Sequence, residues 1–153
     1  MKYVILHDIR SHYNVGAIFR TCDGAGVDKV FITGYTPAPL DRFGRVVPEI
    51  HKTSLGASSM VPWERFETTE AVVSDFKNKG VAVIAVEQSP KSISLYDFTP
   101  KGDVAYIFGN EIEGVPQSIC AVADAVLEIP MRGQKESLNV SVTAGIVLFH
   151  SPV

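Results

Sequence analysis

The stretch "VAYIFGNEIEG", Val104 to Gly114, decides how the chain is read. Five apolar residues in a row, with two β-branched residues and two aromatics among them, are too short for a membrane span. They suit a strand covered on both faces. The run stops at Gly109, and polar Asn110, Glu111 and Glu113 follow before Gly114. A buried strand that ends in a glycine-bracketed polar loop is the common geometry of an α/β sheet. There ligands gather beyond the carboxyl ends of parallel strands.

Similar runs recur on both sides. "KYVILH" (Lys2–His7), "KVFITG" (Lys29–Gly34), "VAVIAVEQ" (Val81–Gln88) and "AVLEIP" (Ala125–Pro130) read as further strands. Helical spacing lies between them. In Asn14–Gly26, Val15, Ile18, Phe19 and Cys22 form a stripe, with Asn14 as cap and Gly26 as stop. "TTEAVVSDFKNKG" is capped by Thr68 or Thr69 and stopped by Gly80, and Pro116–Ala123 is a short helix. Gly34–Gly56 is a long loop with a short helix near Lys52. Strands alternating with helices give an α/β fold: a mostly parallel sheet with helices on both faces. We expect a single domain over residues 1–153.

Several function classes are excluded at this level. No apolar run approaches the length of a membrane span, and the start is too short for a signal peptide. Cys22 and Cys120 form no paired motif and fit reduced thiols in a cytoplasmic protein. His7, His12, His51 and His150 lack metal-ligand spacing, so no metal is expected. Gly109 and Gly114 have the spacing of a phosphate loop, but no Lys-Ser/Thr follows, and the loop's two glutamates would repel phosphate. "GAG" (Gly24–Gly26) closes a helix and so is no dinucleotide fingerprint. The net charge of −3 predicts no bulk attraction to nucleic acid. Arg42, Arg45 and Lys52 nevertheless make a locally basic loop, which on charge alone reads as solvated but could hold a nucleic-acid backbone.

Three loops remain chemically unusual. "NVGAIFR" (Asn14–Arg20) puts Gly16 and Arg20 one turn apart, away from the apolar stripe, where a gap beside the arginine could admit a ligand. "FGNEIEG" (Phe108–Gly114) and "IPMRGQKESLNVSV" (Ile129–Val142) follow strands. Taken in this order, the three stretches resemble the three motifs of the SpoU (TrmH) family of RNA ribose 2′-O-methyltransferases, in the SPOUT class. The likeness covers essentially the whole chain.

The resemblance implies a C-terminal deep trefoil knot and S-adenosylmethionine held in the knotted loops. The matching cofactor contacts are Val86, Glu87, Gly109, Ile129, Met131, Ser137 and Leu138. The matching catalytic set is Arg20, Asn14, Glu111, Ser137 and Asn139. In it, Arg20 acts either as a base or as a charged clamp on a phosphate and a developing alkoxide. Glu111 is a possible partner for Arg20. The reaction would transfer a methyl group to a ribose 2′-hydroxyl of tRNA or rRNA, with tRNA preferred. The alternatives are a non-catalytic RNA- or cofactor-binding protein of the same fold and a dinucleotide-dependent enzyme.

The final helix, within "SLNVSVTAGIVLFH" (Ser137–His150), is apolar on every side. Such a helix is buried all round. One sheet in so small a chain cannot cover it, and the resemblance supplies a homodimer packed through this helix.

Overall fold

The computed structural model describes residues 1–152. Seven strands form one sheet: β1 (Lys2–His7), β2 (Lys29–Thr33), β3 (Trp63–Phe66), β4 (Ala82–Val86), β5 (Ile93–Ser94), β6 (Val104–Phe108) and β7 (Ala125–Glu128). Their spatial order is β3-β2-β1-β6-β4-β7-β5, and every pairing is parallel. β6 is buried along its whole length between β1 and β4.

Alternation along the strands divides the core in two. Val4, Leu6, Val30, Ile32, Ile84, Tyr106 and Phe108 face one layer. It contains α1 (His12–Gly24), α2 (Pro48–Thr53) and α5 (Val140–His150). Ile5, Phe31, Val83, Ala85, Ala105 and Ile107 face the other layer, built from α3 (Thr69–Asn78) and α4 (Gln117–Val122). This two-sided cover is why the strands read as continuous apolar runs.

At the amino end of β1, Lys2 is only 3% exposed. Its ammonium donates to Ala25 O at 3.3 Å, Leu148 O at 3.1 Å and Ser151 O at 3.0 Å. One cation thus sits at the carboxyl ends of both α1 and α5, the ends where the helix dipole favours positive charge. Burial lowers the Lys2 pKa, against the raising effect of Asp28. The shared anchor places the carboxyl ends of α1 and α5 together and their amino ends toward the carboxyl edge of the sheet.

The sequence reading needs correction at several points. Asn14 is not the cap of α1. Ser11 accepts the Asn14 amide at 3.1 Å, and the helix begins at His12. Gly26 does stop the helix, at φ +67°. No gap adjoins Gly16. A Cβ there would fall on Thr53 Oγ1 and within 2.8 Å of Ile50 O, so α2 fills that space. β3 was not expected; its sequence "WERF" is polar and exposed at its two middle residues because it is an edge strand. Pro116 precedes α4 as its cap residue instead of lying in its first turn.

Candidate active site

The loops after β4, β6 and β7 and the first turn of α5 enclose a cleft of about 450 Å³. This lies within the ~300–1,000 Å³ range of small-molecule sites. All seven expected cofactor residues line it: Val86, Glu87, Gly109, Ile129, Met131, Ser137 and Leu138. Phe108 and Leu127 add apolar wall, and Gln88 and Thr143 also reach it.

Close backbone packing shapes the cleft. A Cβ on Gly109 would run into the backbone of Gly114 and Val115, so the 109–114 loop folds back on itself only with glycine there. Gly114 has φ +68°, and a Cβ on it would fall on the Glu87 carboxylate. Glu87 Oε2 accepts the Val115 amide at 2.9 Å, and Oε1 accepts the Gln88 amide at 2.8 Å. Glu87 therefore holds the loop as well as lining the cleft.

Asn110 was missing from the expected set, and it is buried and fully engaged. Its Nδ2 donates to Asp8 O at 2.8 Å and Tyr35 Oη at 2.7 Å. Its Oδ1 accepts the amides of Ile112 and Glu113 at 2.8 and 3.0 Å. The position directly after a buried strand was the available signal; the long-range partners were not visible from sequence.

Glu111 joins this loop to α1. Its carboxylate accepts the amides of Arg10 at 3.1 Å and Ser11 at 3.2 Å, and Asn14 Nδ2 at 3.2 Å. Burial pushes its pKa up, but the hydrogen bonds from these groups and from its own amide outweigh burial and hold the carboxyl below its ordinary value. Its partners are therefore Asn14 and the amides of Arg10 and Ser11 just before α1, not Arg20.

Of the expected catalytic set, Glu111, Ser137 and Asn139 line the cleft, and Asn14 contacts it through Glu111. Asn139 also caps α5, accepting Ser141 N at 2.9 Å and Ser141 Oγ at 2.7 Å. Arg20 is exposed and does not line the cleft. It stands six residues beyond Asn14, about 9 Å along the helix. Among the described residues no Lys or Arg lines the cleft, whereas Glu87, Glu111, Glu113 and Glu128 do. That electrostatic setting disfavours a polyphosphate and suits a cationic ligand. Among the described residues there is also no group of three or more His, Cys, Asp or Glu side chains placed to hold a metal ion.

Comparison with known proteins puts this arrangement in context. The sequence profile described as the SpoU rRNA Methylase family matches residues 1–149. The chain belongs to the SpoU family. It is 31% identical over 148 residues to a 23S rRNA (guanosine-2′-O-)-methyltransferase of Xanthomonas axonopodis pv. citri, covering 97% of this chain and 57% of that protein. It is 30% identical over 148 residues to a tRNA (guanosine(18)-2′-O)-methyltransferase of Aquifex aeolicus, covering 97% of this chain and 67% of the relative. The chain thus spans little more than half the length of the 23S rRNA relatives. Among solved structures, an S-adenosylmethionine-bound rRNA methyltransferase from Sinorhizobium meliloti superposes with a TM-score of 0.87 at 29% identity, covering 97% of this chain and 54% of that one.

The basic loop of this SpoU domain is placed apart from the cleft. Arg45 pairs with Asp41 at 3.0 Å, Arg42 and Arg45 both lie over the Phe43 ring, and Lys52 is exposed on α2. α5 has only Ala144, Val147 and Leu148 buried. The stripe Leu138, Val142 and Phe149 is exposed, Val142 at 49% and Phe149 at 65%, with Ile146 half-buried beside it. No helix is long and apolar enough to cross a membrane among the described residues.

Proposed function

We propose that the chain is an S-adenosylmethionine-dependent RNA methyltransferase that modifies a ribose 2′-hydroxyl, and that its described residues act as one SpoU-type catalytic unit. The observation that carries this is the cleft itself. Apolar side chains and open backbone wall it, four glutamates line it, and two of the three motif stretches, Phe108–Gly114 and Ile129–Val142, supply much of its wall. S-adenosylmethionine fits that chemistry: Val86, Leu127, Ile129 and Leu138 offer apolar surface for the adenosine, and the carboxylates favour its positive charges. When bound, the cofactor supplies an electrophilic methyl group on a sulfonium.

The chain's own residues do the rest. Glu111 fixes the first turn of α1 against the cleft and keeps Asn14 turned toward it. Ser137 and Asn139 bring hydroxyl and amide groups to the positive end of α5 to position the ribose. Arg20 brings a planar guanidinium with five N–H donors. It clamps the phosphate next to the ribose and stabilises charge on the attacking oxygen.

Arg20 lies outside this chain's cleft, and a homodimer resolves the difficulty. A Cβ on Gly24, one turn after Arg20, would sit 3.3 Å from Phe149, so the carboxyl end of α1 borders the exposed α5 stripe. Packing two copies through that stripe covers the apolar surface and places Arg20 at the subunit boundary, where it reaches RNA held by both. A non-catalytic binding protein of the same fold is the rival reading, favoured by Arg20's position in the single chain. The trefoil knot is supported by strand order. β5 follows β4 in sequence, yet β7 lies between them, an order compatible with a threaded last segment.

We take tRNA before rRNA as substrate; relatives that act on each match the chain about equally, at 30% and 31% identity. Two free, buried cysteines fit a cytoplasmic setting. Calorimetry with S-adenosylmethionine, S-adenosylhomocysteine, ATP and NAD tests the cofactor assignment. Binding of the first two alone is expected, and preference for ATP or NAD overturns it.

A further inference from the structure

A second cavity, of about 520 Å³, opens at the other end of the Arg10–His12 turn. Glu111 in the cleft wall holds the amides of Arg10 and Ser11, and the next residue, His12, lines the second cavity. Trp63, the chain's one tryptophan, also lines it and is packed against the sheet core. Leu40 adds exposed apolar surface at the wall.

Its electrostatics are opposite to those of the cleft. Arg42 and Arg65 line it. Arg65 donates to Gly34 O at 3.0 Å and to Thr36 O, which fixes its guanidinium plane at the edge strand. Arg42 rests over the Phe43 ring at 4.8 Å. Asp41 is the acid in this wall, and it is offset by the Arg45 side chain at 3.0 Å and by the amides of Phe43 and Arg45. An indole and an imidazole beside apolar wall, rimmed by arginines, match a flat aromatic ring carried on a polyanion. Single-stranded nucleic acid is recognised this way, by stacking on aromatic rings with cations along the backbone.

We propose that this cavity takes an unstacked nucleobase of the RNA substrate, from a nucleotide near the one modified, with Trp63 and His12 offering ring surface and Arg42 meeting the adjoining phosphate. The proposal rests on the RNA reading above and adds a subsite to it. Because Trp63 is the sole indole, its emission reports on this cavity alone.

The test titrates the full chain with an unstructured RNA pentamer and with S-adenosylhomocysteine, following Trp63 emission and, separately, the anisotropy of labelled RNA. The pentamer should quench Trp63 saturably, and S-adenosylhomocysteine should not. Leu40→Glu, at an exposed position, should weaken pentamer binding about tenfold, the size of one lost base stack. Its S-adenosylhomocysteine affinity by calorimetry should be unchanged. Trp63→Leu should lose a similar factor in anisotropy. RNA that binds by anisotropy with Trp63 silent, binding by Leu40→Glu equal to wild type, or quenching by S-adenosylhomocysteine would each overturn the subsite. Methyl transfer to RNA separates the two failures: transfer with a silent Trp63 sinks the subsite only, and no RNA binding at all sinks both.

Discussion

Replacing Glu111 with alanine removes three hydrogen bonds at once, those from Arg10 N, Ser11 N and Asn14 Nδ2. Bonds to a charged acceptor are worth about 1.5–3 kcal/mol each when well sheltered. These measure 3.1–3.2 Å and the glutamate is exposed, so water replaces much of what is lost. A net loss of about 1–2 kcal/mol is the reasonable figure. At about 2–4 °C per kcal/mol for a domain of this size, Tm should fall by about 2–8 °C at pH 7. The sign with pH follows from the depressed Glu111 pKa. The stabilisation is complete above the ordinary carboxylate value of about 4.3 and is lost as pH falls through the lower folded value. Thermal melts of wild type and Glu111→Ala from pH 7 to pH 3 should therefore converge at the acid end. Equal Tm values at pH 7, or a gap that persists undiminished at pH 3, would refute the role assigned to Glu111.

Four further outcomes are expected. Gly109→Ala should weaken S-adenosylhomocysteine binding more than tenfold by calorimetry, because a Cβ there meets the backbone of Gly114 and Val115; unchanged affinity would contradict the described loop. Leu138→Arg should also weaken that ligand by steric conflict in the cleft wall. Phe149→Glu should give folded monomers in light scattering, whereas Val147→Glu should unfold the chain, since Val147 faces its own core with no exposure. Charge reversal at Arg42 and Lys52 should weaken RNA binding and flatten its salt dependence without changing cofactor affinity.

The sheet was legible where burial is two-sided. Lys2–His7, Val83–Val86 and Val104–Phe108 are apolar runs because helices cover both faces, and no other local structure suits them. β3 escaped notice because "WERF" sits on an edge, with Glu64 and Arg65 open to solvent. The start of α1 was misplaced by three residues for a long-range reason. Ser11 and Asn14 are both capping residues, and a glutamate some hundred positions away holds the Arg10 and Ser11 amides. Gly16 carried the same ambiguity: its missing side chain makes room for α2, not for a ligand. The cleft was more legible, because glycines and polar residues at strand ends have few structural uses. Asn110 was visible as a polar residue after a buried strand but was left out of the site set, since its importance lies in Asp8 and Tyr35, which only the fold brings near. That Arg20 stands outside the cleft was likewise invisible without the fold.

The central claim is transfer of a methyl group to a ribose oxygen, with Arg20 as a charged clamp. Single-turnover transfer from labelled S-adenosylmethionine to tRNA and rRNA, followed by nucleoside analysis, tests it most directly in wild type, Arg20→Ala and Arg20→Lys. Wild type should yield a 2′-O-methylated nucleoside. Arg20→Ala should be slower by about 10²–10³-fold, the usual effect of removing a preorganised group at a developing oxyanion. Arg20→Lys should stay poor from pH 6 to 10, because lysine lacks the planar bidentate fork. Rescue by lysine that grows with pH would make Arg20 a proton acceptor instead. Methylation of a base in place of the ribose, or full activity in Arg20→Ala, would contradict the account.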